Sequence, residues 1–368
     1  MAGGTNDIEL SVFARTDTGV QRAGNEDAFL IADLTTGNVG LGANMSTHRV
    51  GERGSLMVVS DGMGGAAAGE IASAMAVKTL RDALIQEEQS IDTCSRLKLA
   101  TERANDAIWE HSRANRQLAG MGATVTAVLI HNTGACIAQV GDSRAYLIRG
   151  HEVKQLTKDQ SLVQLLIDSG AIRPEQSHTV PNNVIMQALG TSPTVDVAMA
   201  SVELYKDDLL LVCTDGLSNK VSAIEMRDVL RRADSLNAAC RDLVTIANQR
   251  GGEDNITVIA ARFDGEALHS AAESNSITGS IKILTTGSLD QDLARINNNL
   301  QVAQESSSDL STRALNAVGL DADPKAASAM ERQGARSLPL RGIVTFMALA
   351  LCALLIFLVL YLFLHFKR

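Results

Sequence analysis

The chain has no CxxC pair, no histidine–cysteine cluster at metal-ligand spacing, and no stripe of lysine and arginine interleaved with aromatics. Its five cysteines (Cys94, Cys136, Cys213, Cys240, Cys352) are odd in number and widely spaced. That pattern excludes a zinc site and reads as reduced core thiols of a cytosolic protein, not a disulfide framework. Against 33 lysines and arginines stand 42 aspartates and glutamates, a net charge of −9. Nucleic acid is therefore not an expected partner, because phosphate backbones demand clustered cations. The N-terminus lacks the basic and apolar regions of a secretory signal.

One long hydrophobic run is present. Ile343 to Leu364 is 22 residues without a charge, which as a helix spans about 33 Å. A buried core helix would be shorter and polar on one face, so the run predicts a transmembrane helix over 342–366. Lys325, Arg332, Arg336 and Arg341 precede it, and only Lys367 and Arg368 follow. The positive-inside bias then predicts a single-pass, tail-anchored membrane protein with its bulk in the cytoplasm.

From about Leu10 to Phe263, short apolar runs alternate with turn signals and helical stretches. Strands are predicted at Leu10–Arg15, Ala28–Ala32, Leu56–Ser60, Thr124–Ile130, Ala135–Val140, Ala145–Ile148, Ala198–Val202, Leu209–Thr214 and Ile256–Ala261. Links as short as Asn132-Thr133-Gly134 join antiparallel neighbours, since parallel strands need a long crossover. Val77, Leu80 and Leu84 share one helical face, as do Leu97, Ala104 and Ile108. Ser222 and Glu225 form a capping-box signature, and another helix covers about Asn237 to Asn248. Paired helices between groups of strands predict an α+β fold, a four-layer α/β/β/α sandwich of two antiparallel sheets flanked by helices. Thr35 to Arg53 reads as a surface excursion and Leu162 to Gly190 as a flap. Residues 265–341 turn polar and aperiodic, a flexible linker in which Ile281 to Leu284 could form a transient strand.

Acidic clusters recur where strands give way to turns: Glu26-Asp27, Asp61-Gly62, Asp215-Gly216 and Asp254-Asn255. A carboxylate at the mouth of a buried strand is costly unless something positive collects it. Oxygen-only ligands without histidine or cysteine select Mg²⁺ or Mn²⁺. Gly62 permits a close backbone approach. Arg22 offers a guanidinium fork suited to phosphate oxygens, although alone it also reads as half of a surface Arg–Glu pair. Asp142, in Gly141-Asp142-Ser143, alone reads as an ordinary turn.

Taken together and in order, the segments RAGNED (Arg22 to Asp27), DGMGG (from Asp61), GDSRAY (from Gly141), TDGL (from Thr214) and EDNIT (from Glu253) resemble the metal-dependent protein phosphatases of type 2C, bacterial-type members in particular. The resemblance covers residues 7–264, read as the catalytic domain. It implies hydrolysis of phosphoserine and phosphothreonine in proteins by water activated between two Mn²⁺ or Mg²⁺ ions. It also implies roles: Asp61 bridges both ions, Glu26 and the Gly62 carbonyl serve one, Asp215 and Asp254 the other. Asp142 with Asp215 supports a third, weaker ion; Asp27 and Asn255 support the ligands; Arg22 holds the substrate phosphate. Many eukaryotic members carry histidine where Met63 stands, so the proton donor to the leaving group is open between metal-bound water and another group; His178 in the flap is an outside candidate that otherwise reads as a solvated loop histidine. A catalytically inactive phosphoprotein-binding or scaffold relative is the alternative, and it predicts a lost ligand. About 75 linker residues would let the domain search on the order of 50 Å from a bilayer, so phosphorylated membrane-associated Ser/Thr kinases or their substrates are the expected partners, besides the lipid bilayer itself.

Overall fold

The structure is a computed structural model and describes residues 8–39, 46–86, 91–181, 183–270 and 276–285. Fourteen strands are described: β1 (Glu9–Asp17), β2 (Asp27–Asp33), β3 (Asn38–Val39), β4 (Ser46–Arg49), β5 (Ser55–Met63), β6 (Gly122–Ala123), β7 (Val125–His131), β8 (Gly134–Val140), β9 (Arg144–Arg149), β10 (Glu152–Gln155), β11 (Ala198–Glu203), β12 (Leu209–Cys213), β13 (Ile256–Asp264) and β14 (Ile281–Thr285). The helices are α1 (Ala66–Gln86), α2 (Thr93–Ala114), α3 (Leu162–Asp168), α4 (Asp215–Ser218), α5 (Ala223–Arg232), α6 (Leu236–Gln249) and α7 (Ile277–Ser280).

The strands form two antiparallel sheets. One runs β10-β9-β12-β13-β1-β4; the other runs β14-β11-β8-β7-β5-β2-β3, with β6 pairing the end of β5. Period-two alternation sends side chains to both faces of each sheet. In β5, Leu56 and Val58 pack against α1 and α2 with Leu80, Leu84, Leu97 and Ile108. Met57 and Val59 point the other way, into a layer shared with Leu210, Val212, Ile259 and Phe263 of the facing sheet. The outer face of that facing sheet, with Leu211, Val258 and Ala260, is covered by Val229 of α5 and Leu243 of α6. The result is the four-layer α/β/β/α sandwich.

Local chemistry sets the helix starts. Asp92 caps α2 by accepting from the backbone N–H of Cys94 at 3.1 Å and Ser95 at 3.0 Å. The Ser222–Glu225 capping box opens α5, which ends at Arg232. Such caps contribute about 1 kcal/mol each.

The structure departs from the sequence reading in three places. The cysteines were expected to be reduced, yet Cys94 and Cys136 are joined as a disulfide with Cα atoms 5.3 Å apart. Parity and spacing in the sequence carry no information on this pair, because α2 must first pack across β8 to bring them together. Cys213 and Cys240 are free and buried, as expected. Secondly, the excursion at 35–53 contains β4, which extends the first sheet beside β1. Thirdly, the stretch read as linker contains α7, and the transient strand offered at Ile281 to Leu284 is the paired strand β14. β14 adds to β11 from Val202↔Ile281 to Met199↔Thr285. Ile277 is 1% exposed within the inter-sheet core, and Arg149 Nη1 donates to Ser280 Oγ at 3.1 Å. The apolar run at 343–364 lies outside the described residues. Among the described residues no helix is long and apolar enough to cross a membrane.

Candidate functional site

At one end of the sandwich, the start of β2, the end of β5, the end of β12 and the start of β13 converge. Asp27 and Asp61 stand directly opposite each other in the β2–β5 register. Two facing carboxylates destabilise a strand pair, so this end of the sheet is costly as built. Close backbone approach shapes it further. A Cβ on Gly62 would meet the Gly69 carbonyl oxygen at 2.0 Å, and a Cβ on Gly69 would meet Glu26 Oε2 at 2.0 Å. The glycine at position 62 thus lets the chain pass against Gly69 and Glu26, and the Glu26 carboxylate reaches over α1 because Gly69 has no side chain.

The electrostatics are those of an overloaded anionic cluster. Burial, followed by the charges of Asp27, Asp215, Asp254 and Asp142, pushes the Asp61 carboxyl well above the usual range. Burial likewise raises Asp215, with Asp254 adding to it. Asp27 is pushed up to about 7 by burial, although two threonine hydroxyls favour its ionised form. Burial and the charge of Asp215 bring Asp142 to about 7. Asp27 Oδ1 and Asp215 Oδ1 are buried without a hydrogen-bond partner, a costly state for carboxylate oxygens.

The supporting contacts connect the separate segments. Asn255 Oδ1 accepts the Glu26 N–H at 2.8 Å, and its Nδ2 donates to the carbonyls of Thr18 and Gly24, both at 2.9 Å. Asp27 Oδ2 accepts from Thr214 at 2.8 Å and Thr257 at 2.7 Å. The Asp61 N–H donates to Thr124 Oγ1 at 3.0 Å, which in turn meets Ser143 Oγ at 2.9 Å. Arg22 Nη2 donates to Asp254 Oδ2 at 2.9 Å, and Nε to the Glu253 carbonyl at 3.3 Å. Burial opposes the charge on Arg22, and Asp254 more than offsets it, raising its pKa. Its carboxylate partner is therefore Asp254, not the Glu26 four residues along the chain.

Every residue singled out in the sequence for this chemistry (Arg22, Glu26, Asp27, Asp61, Gly62, Asp142, Asp215, Asp254 and Asn255) belongs to this end of the sandwich or to the cavity beside it. That cavity, about 530 Å³, opens between Asp142, Asp215 and the flap residues Val163, Ile167, His178 and Val180. His178 thus faces the same space as Asp142 and Asp215, whereas Met63 pairs with Gly122 of β6. Sequence reasoning missed Thr124, Thr214 and Thr257, although Thr214 directly precedes Asp215 and Thr257 closes the EDNIT segment.

The donor set fits hard divalent cations: oxygen ligands only, mutually repelling, with two buried oxygens lacking partners. Among the described residues no three such side chains form a closed cage as they stand. Arg22 occupies an oxygen of Asp254, and Asn219 Nδ2 donates to Asp215 Oδ2 at 3.0 Å. Asp215 keeps its other oxygen, Oδ1, unpartnered and available to an ion.

Comparison with known proteins agrees with this geometry. A family model described as protein phosphatase 2C matches residues 44–257. The serine/threonine phosphatase stp of Listeria monocytogenes is 36% identical over 256 residues, covering 68% of this chain and 94% of that protein. The serine/threonine protein phosphatase PstP of Mycobacterium tuberculosis is 36% identical over 255 residues, 69% of this chain and 45% of that protein. Among solved structures, the catalytic domain of PstP in complex with two manganese ions superposes with a TM-score of 0.59 at 32% identity, covering 70% of this chain and all of that one. Stp1 from Staphylococcus aureus superposes with a TM-score of 0.61 at 30% identity, over 70% and 96% of the two chains.

Proposed function

The chain belongs to the protein phosphatase 2C family of metal-dependent serine/threonine phosphatases, and from that membership we propose that its acidic cluster holds two Mn²⁺ or Mg²⁺ ions for attack of water on phosphoserine and phosphothreonine in proteins. The observation that carries this reading is Asp61, whose carboxyl is driven towards its neutral form by burial and four neighbouring carboxylates, a state that bound cations relieve. Asp61 would lie between the two ions, with Glu26 and the Gly62 carbonyl on one side and Asp215 and Asp254 on the other. Asp142 with Asp215 would hold a weaker third. When bound, the ions supply Lewis acidity, lowering the pKa of water and neutralising phosphoryl oxygens.

The chain's own residues do the positioning. Asn255 fixes the loop that carries Glu26 to the turn before β13 that carries Asp254. Asp27, held by Thr214 and Thr257, braces the same junction from below. Arg22 keeps its guanidinium exposed at the rim, with a side-chain exposure of 48%, where its fork can exchange Asp254 for a phosphoryl group. Among the described residues no free thiol is offered to the site: Cys213 and Cys240 are both buried, and burial pushes their thiols up to about 12.

The reading extends to location. Ile343 to Leu364 would anchor the protein in a membrane with the catalytic domain in the cytoplasm, and membrane-associated Ser/Thr kinases or their phosphorylated substrates would be its partners; the uncharged run and the basic residues before it support this. The activity is tested by manganese-dependent release of phosphate from a phosphothreonine peptide. No release by protein that demonstrably binds manganese would overturn the enzymatic reading and favour a phosphoprotein-binding relative.

A further inference from the structure

The flap has almost no core of its own. Neither α3 nor the 3₁₀ turn Pro174–Thr179 contains a buried residue, although α3 carries Leu162, Val163, Leu165, Leu166 and Ile167. Something other than internal packing must set its position over the cavity. The structure provides it at the flap's two roots, around Gln160, a residue outside every motif of the acidic cluster and only 4% exposed.

Gln160 and Gly141 bond reciprocally: the Gln160 N–H donates to the Gly141 carbonyl at 2.9 Å, and the Gly141 N–H donates to Gln160 Oε1 at 2.8 Å. Gly141 is the residue before Asp142. On the other side, the Gln160 carbonyl accepts the Met186 N–H at 2.8 Å, and its Oε1 accepts Gln187 Nε2 at 3.2 Å. Gln187 continues the ring, with Nε2 donating to the Asp196 carbonyl at 2.7 Å and Oε1 accepting the Asp196 N–H at 2.9 Å. The Leu162 N–H closes it by donating to the Val184 carbonyl at 2.8 Å. The chain therefore enters and leaves the flap through one hydrogen-bonded collar that is also the support of the Asp142 turn.

We propose that Gln160 is a positioning residue: by locking both flap roots to the Gly141–Asp142 turn, it sets the width of the cavity and hence the affinity for a phosphorylated polypeptide more than for a small phosphate ester. This rests on the phosphatase reading above. A small ester needs only the ion site, whereas a phosphopeptide must also pass beneath Val163, Ile167 and Val180. Losing the side-chain bonds of Gln160 should let the flap tilt without removing any group that touches the phosphate.

The test uses the full chain, saturating manganese, a phosphothreonine peptide and p-nitrophenyl phosphate. Gln160→Ala should raise KM for the peptide about fivefold beyond any change in KM for the aryl ester, the size expected for one or two buried hydrogen bonds. Gln187→Ala, cutting the ring on its far side, should shift the same ratio in the same direction. The double variant should fall short of the product of the two, because the residues share one network. Melting temperatures show whether each variant folds, and hydrogen exchange at the Gly141 amide should accelerate in Gln160→Ala. Equal effects on both substrates, or unchanged exchange at Gly141 with an active wild type, would overturn the proposal alone. A wild type inactive on both substrates would overturn the phosphatase reading, and the specificity role with it.

Discussion

Replacing Asn255 by alanine removes three hydrogen bonds at once, each between the strand start that carries Asp254 and the loop that carries Arg22 and Glu26. The residue is 3% exposed, and a typical bond of this kind contributes about 0.5–1.5 kcal/mol. The sum is roughly 1.5–4.5 kcal/mol by the same measure. Water can reach part of the loop, since Val20 within it is 66% exposed, so about 2–3 kcal/mol is the expected loss. For a domain of this size that lowers the melting temperature by about 4–12 °C. Manganese affinity, read by calorimetric titration, should fall about 10- to 100-fold, because the Glu26 loop then has to be ordered on binding. Asn255→Asp should be worse than alanine: it retains the acceptor for Glu26 but sets a carboxylate against the carbonyls of Thr18 and Gly24. A melting temperature within a degree of wild type, together with unchanged manganese affinity, would refute the assignment. An aspartate variant more stable than the alanine one would refute the donor–acceptor reasoning.

Asp254→Asn should abolish most manganese-dependent turnover while changing stability by less than about 1 kcal/mol, since its pair with Arg22 is only partly buried; near wild-type activity at saturating manganese would count against Asp254 as a ligand. The metal-free protein should lose stability as pH rises. Asp27 and Asp142 sit near 7 when folded against about 4 when unfolded, so between those values the folded state holds protons the unfolded state has released, and their contribution is complete below about pH 4 and lost on rising through about pH 7. Melting of chelator-treated protein at a series of pH values checks this; the slope should flatten in Asp27→Asn, and an unchanged slope there would remove Asp27 from the account. Deleting residues from Ile343 onward should release active enzyme into the soluble fraction of a cell lysate, and continued sedimentation with membranes would show that another segment anchors it.

The sandwich was legible because its strands announce themselves twice, by β-branched apolar runs and by turns too short for parallel crossovers. The acidic residues were legible as a group because buried strand ends do not accumulate carboxylates without cause. What was not legible depended on pairing partners. β4 and β10 are short and polar enough to pass for loop until a neighbouring strand offers its edge, as Leu10 does to His48 and Ile148 to Val153. The disulfide required knowledge of which strand lies under the start of α2. Thr124 and Thr257 carry no charge, and nothing in their local sequence distinguishes a hydroxyl that holds the backbone or carboxylate of an acidic residue from one that fills a strand. Gln160 is less visible still, because its importance lies in being shared by two ends of a segment about 25 residues apart in sequence.

β14 takes over the edge position of its sheet from β11. Without it, the backbone groups of β11 from Met199 to Val202 that now pair with β14 would face solvent, and an unpaired edge next to a flat sheet is a template for association with other chains. A protein shortened at Asp264 would also lose Ile277 from the core. Such a fragment would retain the whole acidic cluster yet be prone to aggregate, while one ending after Thr285 would keep β11 paired and Ile277 in the core. The practical boundary of the folded unit is therefore set by a strand that contributes nothing to the chemistry.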